Sequence, residues 1–282
     1  MTEESTARRR ELGRELRTLR ESRDMSGHDV ARQTGFSAGN ISRWENGRRE
    51  IGIVDAATYL ATCGVDLAER NRLLDLTEPP SELYWVRPYF HKLADALKSV
   101  IIQESIANSL VGYQPLLIPG LLQTEDYARA LWDGLLHPKE LEVLVTARMD
   151  RQKALDRRDP LCGTFFVHER AVRSVVGGPE VMHEQILHLL LASAVPTCVL
   201  RVVPEASDAC SSLCAPFNIL GFAEHSAIVN TEVYGATIFL DDRLCVDAYY
   251  ALVARLEHNA LNEGQSRDLL SRLAGERDRM EE

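Results

Sequence analysis

A chain of 282 residues with 42 acidic against 32 basic side chains, a net charge of −10 and 45 % hydrophobic residues is long enough for two buried cores. It is too acidic to coat nucleic acid or anionic lipid by bulk charge. No run of about 18 apolar residues occurs, and the first two dozen residues lack an apolar leader core, so a cytoplasmic protein without a membrane partner is expected.

Leu12, Leu16 and Leu19 recur at i, i+4 and i+7, which predicts an amphipathic helix over residues 8–23. Ser26 and Asp29 have the spacing of a capping box and open a second short helix, with Val30 and Ala31 as its apolar face. Gly35 supplies the left-handed residue at which that helix turns. Ser37 then caps a third helix whose inward residues are Ile41 and Trp44 and which stops at Gly47. Its outward surface, Ala38, Gly39, Asn40 and Arg43, is small, amide-bearing or cationic, and the guanidinium fork of Arg43 matches guanine O6 and N7. Ile53, Ala56, Ala57 and Leu60 mark a fourth helix, and Leu67, Leu73, Leu74 and Leu76 a fifth.

Residues 8–77, and most specifically the Ile-Ser-Arg-Trp-Glu-Asn-Gly stretch, resemble the XRE (Cro/C1, phage-repressor-like) class of helix-turn-helix domain. The resemblance implies that Ala38, Gly39, Asn40 and Arg43 lie over base edges. It places Ser37, Asn46 and backbone amides near Gly27 and Arg48 at phosphates. It also implies a structural ion pair between Arg20 and Glu45. Many relatives carry a phosphate-clamping Gln where Gly27 stands, and Gly39 removes a side chain from a position that often reads a base, so direct readout falls chiefly to Arg43 and Asn40.

Residues 1–77 carry 13 arginines against 13 acidic side chains, and the whole surplus of negative charge lies beyond them. Binding to double-stranded DNA would therefore need Arg8, Arg9, Arg10, Arg14, Arg48 and Arg49 on one side, and two copies of the head on a pseudo-palindromic operator. A homodimer is expected.

Thr77-Glu78-Pro79-Pro80-Ser81 reads as a linker because its two prolines stop the preceding helix, giving a head over 1–77 and a regulatory or dimerisation domain over 78–282. Tyr84 to Val111 is read as helical. Gln114 to Thr124, with two prolines and a glycine, is an apolar loop pinned to the core, and helices over 124–136 and 138–157 follow. Short β-branched or aromatic runs at 163–168, 197–203, 217–222, 227–233 and 237–240 predict strands. Helices are expected at 179–194, 241–259 and 263–277. The fold class is an all-α five-helix head plus a larger α+β domain around a mainly antiparallel sheet.

Pro-Gly-Leu-Leu-Gln-Thr at 119–124, Arg151-Gln152, His168-Glu169, Gly177-Gly178-Pro179 and the strand ending Val-Asn-Thr-Glu at Glu232 resemble actinobacterial WhiJ-like and antitoxin-like regulators. That resemblance implies transcriptional control together with a small protein encoded alongside, and supplies no ligand. The C-terminal domain is itself read as a module that senses a ligand or docks such a partner. The alternative is a dimerisation scaffold with no effector. His168, Glu169 and Glu232 are candidate ligand or partner contacts, against the plainer reading of structural carboxylates.

No catalytic motif supports an enzyme. His183-Glu184 with His188 misses the zincin pattern, because a spacing of five sets the imidazoles about 140° apart on a helix. The six cysteines, Cys63, Cys162, Cys198, Cys210, Cys214 and Cys245, follow no disulfide framework and are expected to be buried free thiols. Cys210 and Cys214 lack the tight pairing of a zinc site, and neither metal nor cofactor is expected.

Overall fold

The computed structural model describes residues 6–77, 84–88, 93–207, 215–233 and 236–281. The predicted linker beyond Thr77 and the pair Cys210 and Cys214 lie outside these residues. Two compact units form: among the described residues the first runs to Trp85 and takes in Glu224–Ser226 and Phe239–Asp241, and the second holds the remainder.

Five helices build the first unit: α1 (Ala7–Glu21), α2 (Gly27–Thr34), α3 (Ala38–Glu45), α4 (Ile53–Thr62) and α5 (Leu67–Leu74). Local chemistry sets their ends. Ser26 Oγ accepts from the Asp29 amide while the Asp29 carboxylate accepts from the Ser26 amide, a complete capping box, and α2 stops at Gly35 with φ at 77°. Leu12, Leu16, Val30, Ile41, Trp44, Tyr59, Leu60 and Leu73 share one core. Arg72 of α5 reaches the buried Glu15 of α1 at 3.1 Å, adding a polar tie. Gly13 decides how closely α1 approaches α3: a Cβ there would lie 2.8 Å from the Glu45 carbonyl oxygen and collide with that of Trp44 as well. Arg10, expected on the cationic surface, is 2 % exposed and belongs to the buried face of α1.

The second half is α+β around a seven-stranded, mostly antiparallel sheet. Its strands are β1 (Tyr84–Pro88), β2 (Ser109–Gln114), β3 (Cys162–His168), β4 (Cys198–Val203), β5 (Phe217–Gly221), β6 (Ile228–Val233) and β7 (Ala236–Leu240), in the order β1-β7-β6-β5-β2-β3-β4. β5 pairs antiparallel with β2 and with β6, whereas β2, β3 and β4 run parallel. Parallel neighbours need crossovers, which α7 (Glu125–Ala130) with α8 (Pro138–Asp156), then α9 (Glu169–Arg173) with α10 (Pro179–Ala192), supply. α6 (Leu93–Ile106) packs on α8, and α12 (Glu263–Glu281) packs on α10 and β4. α11 (Arg243–Asn259) lies by β6.

Three expectations change. The stretch 84–111, read as helical, holds β1, α6 and the start of β2, because β2, with Leu110, Gly112 and Tyr113 buried, shows no strict alternation to mark a strand. The helix expected over 124–136 ends at Ala130 and continues as turns. Of the four cysteines described, Cys63 and Cys198 are buried, Cys245 is half-buried and Cys162 is exposed at the start of β3, so burial does not hold for all.

Candidate nucleic-acid interface

The third helix is held as a rigid insert. Ile41 and Trp44 are 1 % and 4 % exposed, and Trp44 meets Phe36 edge-on with centroids 5.1 Å apart. The Trp44 indole N–H donates to the Glu50 carbonyl at 3.1 Å. At its C-terminal end Glu45 receives Arg20 as a fork, Nε to Oε1 at 2.7 Å and Nη2 to Oε2 at 2.8 Å. Tyr59 donates its hydroxyl to Glu45 Oε1 at 2.7 Å, and Arg20 Nη1 donates to the Met25 carbonyl at 2.7 Å. The hydrogen bond to Glu45 outweighs burial and raises the Arg20 pKa, while burial and the same carboxylate push the Tyr59 hydroxyl up. One buried cluster thus joins α1, α3 and α4.

The opposite face is open. Gly39, Arg43 and Asn46 recur at i, i+4 and i+7 and are exposed, with Ala38 and Asn40 half-buried at their edge. Ser37 is exposed and accepts from the Asn40 amide at 3.1 Å, which starts the helix. The Asn40 carbonyl oxygen accepts from Arg43 Nη2 at 2.6 Å and from Arg49 Nη1 at 2.9 Å. Two guanidinium groups are thereby gathered at one point, and the side-chain amide is left to face outward with its N–H groups. The cluster of Asn40, Arg43 and Arg49 is thus rich in donors. Asn46 turns its amide back to the Ser42 carbonyl at 2.7 Å, closing the helix. Gly27 is the first residue of α2, half-buried, with Ile41 beneath it.

The flanking cations are only partly available. Arg48 is half-exposed and pairs with the Glu224 carboxylate within the same compact unit, and that pairing holds the Glu224 carboxyl below its usual range. Arg9 pairs with Glu50 at 2.6 Å, and Arg8 donates to the Asp75 carbonyl. Arg14 is exposed. Arg43 and Arg49 remain as exposed cations of this surface, whereas the buried Arg10 cannot reach a phosphate.

Residues 97–272 match the family described as Domain of unknown function (DUF5753), and residues 11–73 match a helix-turn-helix domain. The chain belongs to the DUF5753 family. No curated protein and no solved structure matches it. This DUF5753 protein therefore carries at its N-terminal side the helix-turn-helix domain of a DNA-binding regulator. No helix among the described residues is long and apolar enough to cross a membrane.

In the DUF5753 half, the candidate contacts separate. His168 is 7 % exposed and caps α9, its Nδ1 accepting from the Arg170 amide at 3.0 Å, and burial lowers its pKa. Glu169 accepts from the Glu205 amide at 3.1 Å and from Arg173 Nε at 2.7 Å, a structural carboxylate. Glu232 is exposed on β6 and lines a cavity that His168 and Glu169 do not reach. Sequence reasoning passed over Glu104 and Arg148 of that cavity's polar wall and met Gln123 only as part of the motif at 119–124. The accessible signal was two arginines three apart, Arg148 and Arg151, on the buried stripe of α8.

Proposed function

We propose that this protein is a sequence-specific, XRE-type DNA-binding regulator that acts as a homodimer on a two-fold related operator. Its second domain is a sensory input and not an enzyme. The observation that carries the reading is the outward face of α3, where Asn40 spends its carbonyl on Arg43 and Arg49 and this cluster is left rich in donors. A donor-rich cluster at Asn40, Arg43 and Arg49 favours base edges rich in acceptors, above all guanine O6 and N7, and disfavours the adenine pairing that needs the Asn40 carbonyl. Because the helical head is charge-neutral over residues 1–77, bulk attraction to phosphate is weak and two heads per site supply what one lacks.

Selection of bound duplexes from a randomised pool by the full-length protein tests this. The expected result is two guanine-containing half-sites related by a dyad, about one helical turn or 34–36 Å apart. Arg43→Ala should cost about 1–3 kcal/mol on the selected site and relax base preference at one position in each half-site. An equal loss on every sequence removes the reading role from Arg43. Failure to retain any duplex at low salt removes the proposal.

A further inference from the structure

The buried stripe of α8 begins with Leu141, Leu144 and Val145 and then changes to Arg148 and Arg151, 9 % and 6 % exposed. Arginines in a core demand partners. Arg151 forks onto Glu104 of α6, Nε to Oε2 at 2.8 Å and Nη2 to Oε1 at 2.7 Å, and Arg148 Nη1 donates to Gln123 Oε1 at 2.7 Å. Gln123 in turn donates to the Ile118 carbonyl at 2.8 Å, and the Ile118 amide donates to the Tyr127 hydroxyl at 3.2 Å. Gln185 donates to the Leu122 carbonyl at 2.7 Å and accepts from the Thr124 amide at 2.8 Å. The loop from Gln114 to Thr124 is thus fixed by buried side chains at both its middle and its end, and a network bonded in this way holds its shape without a ligand.

Beneath the loop the sheet has a notch. The strand register sets Phe165, Gly112, Asn218 and Asn230 side by side across β3, β2, β5 and β6, so the one residue without a side chain sits between larger neighbours. A Cβ at Gly112 would strike the side-chain amide oxygen of Asn218, which leans into that space. Between Phe165 and Asn218 of this row, the fixed loop and α8 opens a cavity of about 290 Å³, close to the lower end of small-molecule sites. Leu117 and Leu135, 40 % and 73 % exposed, stand at its rim.

Its polar lining pairs acceptors on Glu104, Gln123, Asn218 and Glu232 with donors on Arg148 and Arg151, and leaves a donor unused. The indole N–H of Trp132 is buried in the wall and has no hydrogen-bond partner among the described residues. Buried donors left unbonded are rare and costly, and an incoming acceptor recovers that cost. The carboxylate of Glu232, at the exposed end, repels an anionic group there and favours the apolar end of a ligand pointing outward.

We propose that this cavity is the effector site of the second domain and takes a small apolar molecule bearing one carbonyl or carboxylate oxygen. That oxygen accepts from the Trp132 indole N–H, and the hydrocarbon part lies on Leu117, Leu135 and Phe165. The word effector rests on the regulator reading above; the binding site itself does not.

The test uses the full-length chain with ¹⁵N-labelled tryptophan, whose three indoles are separable, the Trp132 signal being the one missing in Trp132→Phe. The probes share one skeleton: 4-phenylbutyrate, 4-phenylbutyramide and 4-phenylbutylamine. The acid or the amide at low millimolar concentration should move the Trp132 indole signal and leave those of Trp44 and Trp85 in place. The amine should not. Affinity should fall about 3- to 10-fold in Trp132→Phe, which keeps the ring and removes the donor. Leu117→Trp, at the rim, should abolish binding, whereas Leu116→Trp, 57 % exposed and outside the lining, should not change it. A Trp132 signal untouched by all three probes, or preferential binding of the amine, overturns the proposal. If the signal moves but no duplex is retained, the site stands and the regulator reading falls. Retained duplex with an unmoved signal has the opposite meaning.

Discussion

Replacing Glu45 by alanine tests the physical basis of the recognition surface. Glu45 is the last residue of α3, its side chain 7 % exposed against 11 % for Arg20, and it accepts two bonds from Arg20 at 2.7 and 2.8 Å and one from Tyr59 at 2.7 Å. Without it the guanidinium keeps its bond to the Met25 carbonyl, and the Tyr59 hydroxyl keeps a longer one to the Leu16 carbonyl at 3.3 Å. The loss is that of half a buried pair, about 3–5 kcal/mol, a large part of the 5–15 kcal/mol that holds a typical domain together.

With a urea slope of about 1 kcal/mol per molar for so small a unit, the midpoint should fall by about 3 M or more. Trp44 reports it locally, in a background where Trp85 and Trp132 are phenylalanine, since its ring packs on Phe36 inside the same core. Arg20→Met combined with Glu45→Leu removes both charges and should recover most of the loss, because well-packed apolar residues replace a buried pair at little cost. A Glu45→Ala midpoint within about 0.5 M of the parent, or a double variant no better than the single one, would refute the argument that this pair is desolvated and mutually dependent.

Gly13→Ala should reverse the usual benefit of alanine in a helix. The added methyl would overlap backbone carbonyls of Trp44 and Glu45, which cannot swing aside, so a loss of about 1–3 kcal/mol is expected instead of a gain of about 1 kcal/mol; a higher melting temperature would contradict the close approach of α1 and α3. Acid should weaken the second unit in two steps. Burial holds His168 and His188 below 6.5, so the unfolded chain takes up protons that the folded chain refuses, and stability that is complete above pH 6.5 declines as the pH falls through it. Glu169 is held below 4.5 by the Glu205 amide and Arg173 against the effect of burial, and its contribution is lost only as the pH falls through and below that value. His188→Leu should flatten the first step in melting curves taken between pH 7.5 and 5.5, and identical slopes would remove His188 from this account.

The head was legible because its signals are local. Ser26 with Asp29, the left-handed Gly35 and the Ser37 cap each act within four residues, so a single sequence marks both ends of α2 and the start of α3. Arg10 escaped the same reasoning. It sits in a run of three arginines that reads as surface, yet the face of α1 that carries Glu11, Leu12 and Glu15 also carries Arg10 inward, and only the packing of the unit decides this. β2 was hidden differently: its buried positions do not alternate, and the apolar spacing of α6 runs straight into it.

The cavity lies furthest from local signals. Its floor depends on a register that aligns Gly112 with Phe165 and Asn218, residues from 53 to 106 positions away in the chain. Its chemistry depends on a donor with nothing to bond, which is a property of surroundings and not of residue type. Trp132 in the sequence is one aromatic among many in an apolar stretch, and becomes informative only when the atoms around its indole nitrogen are counted. Helix caps and turns are therefore the part of this protein that sequence patterns can carry. A cavity lined from four strands, by Leu110 and Gln114 of β2, Phe165 of β3, Asn218 of β5 and Glu232 of β6, needs the pairing first, because no strand alone contains the pattern.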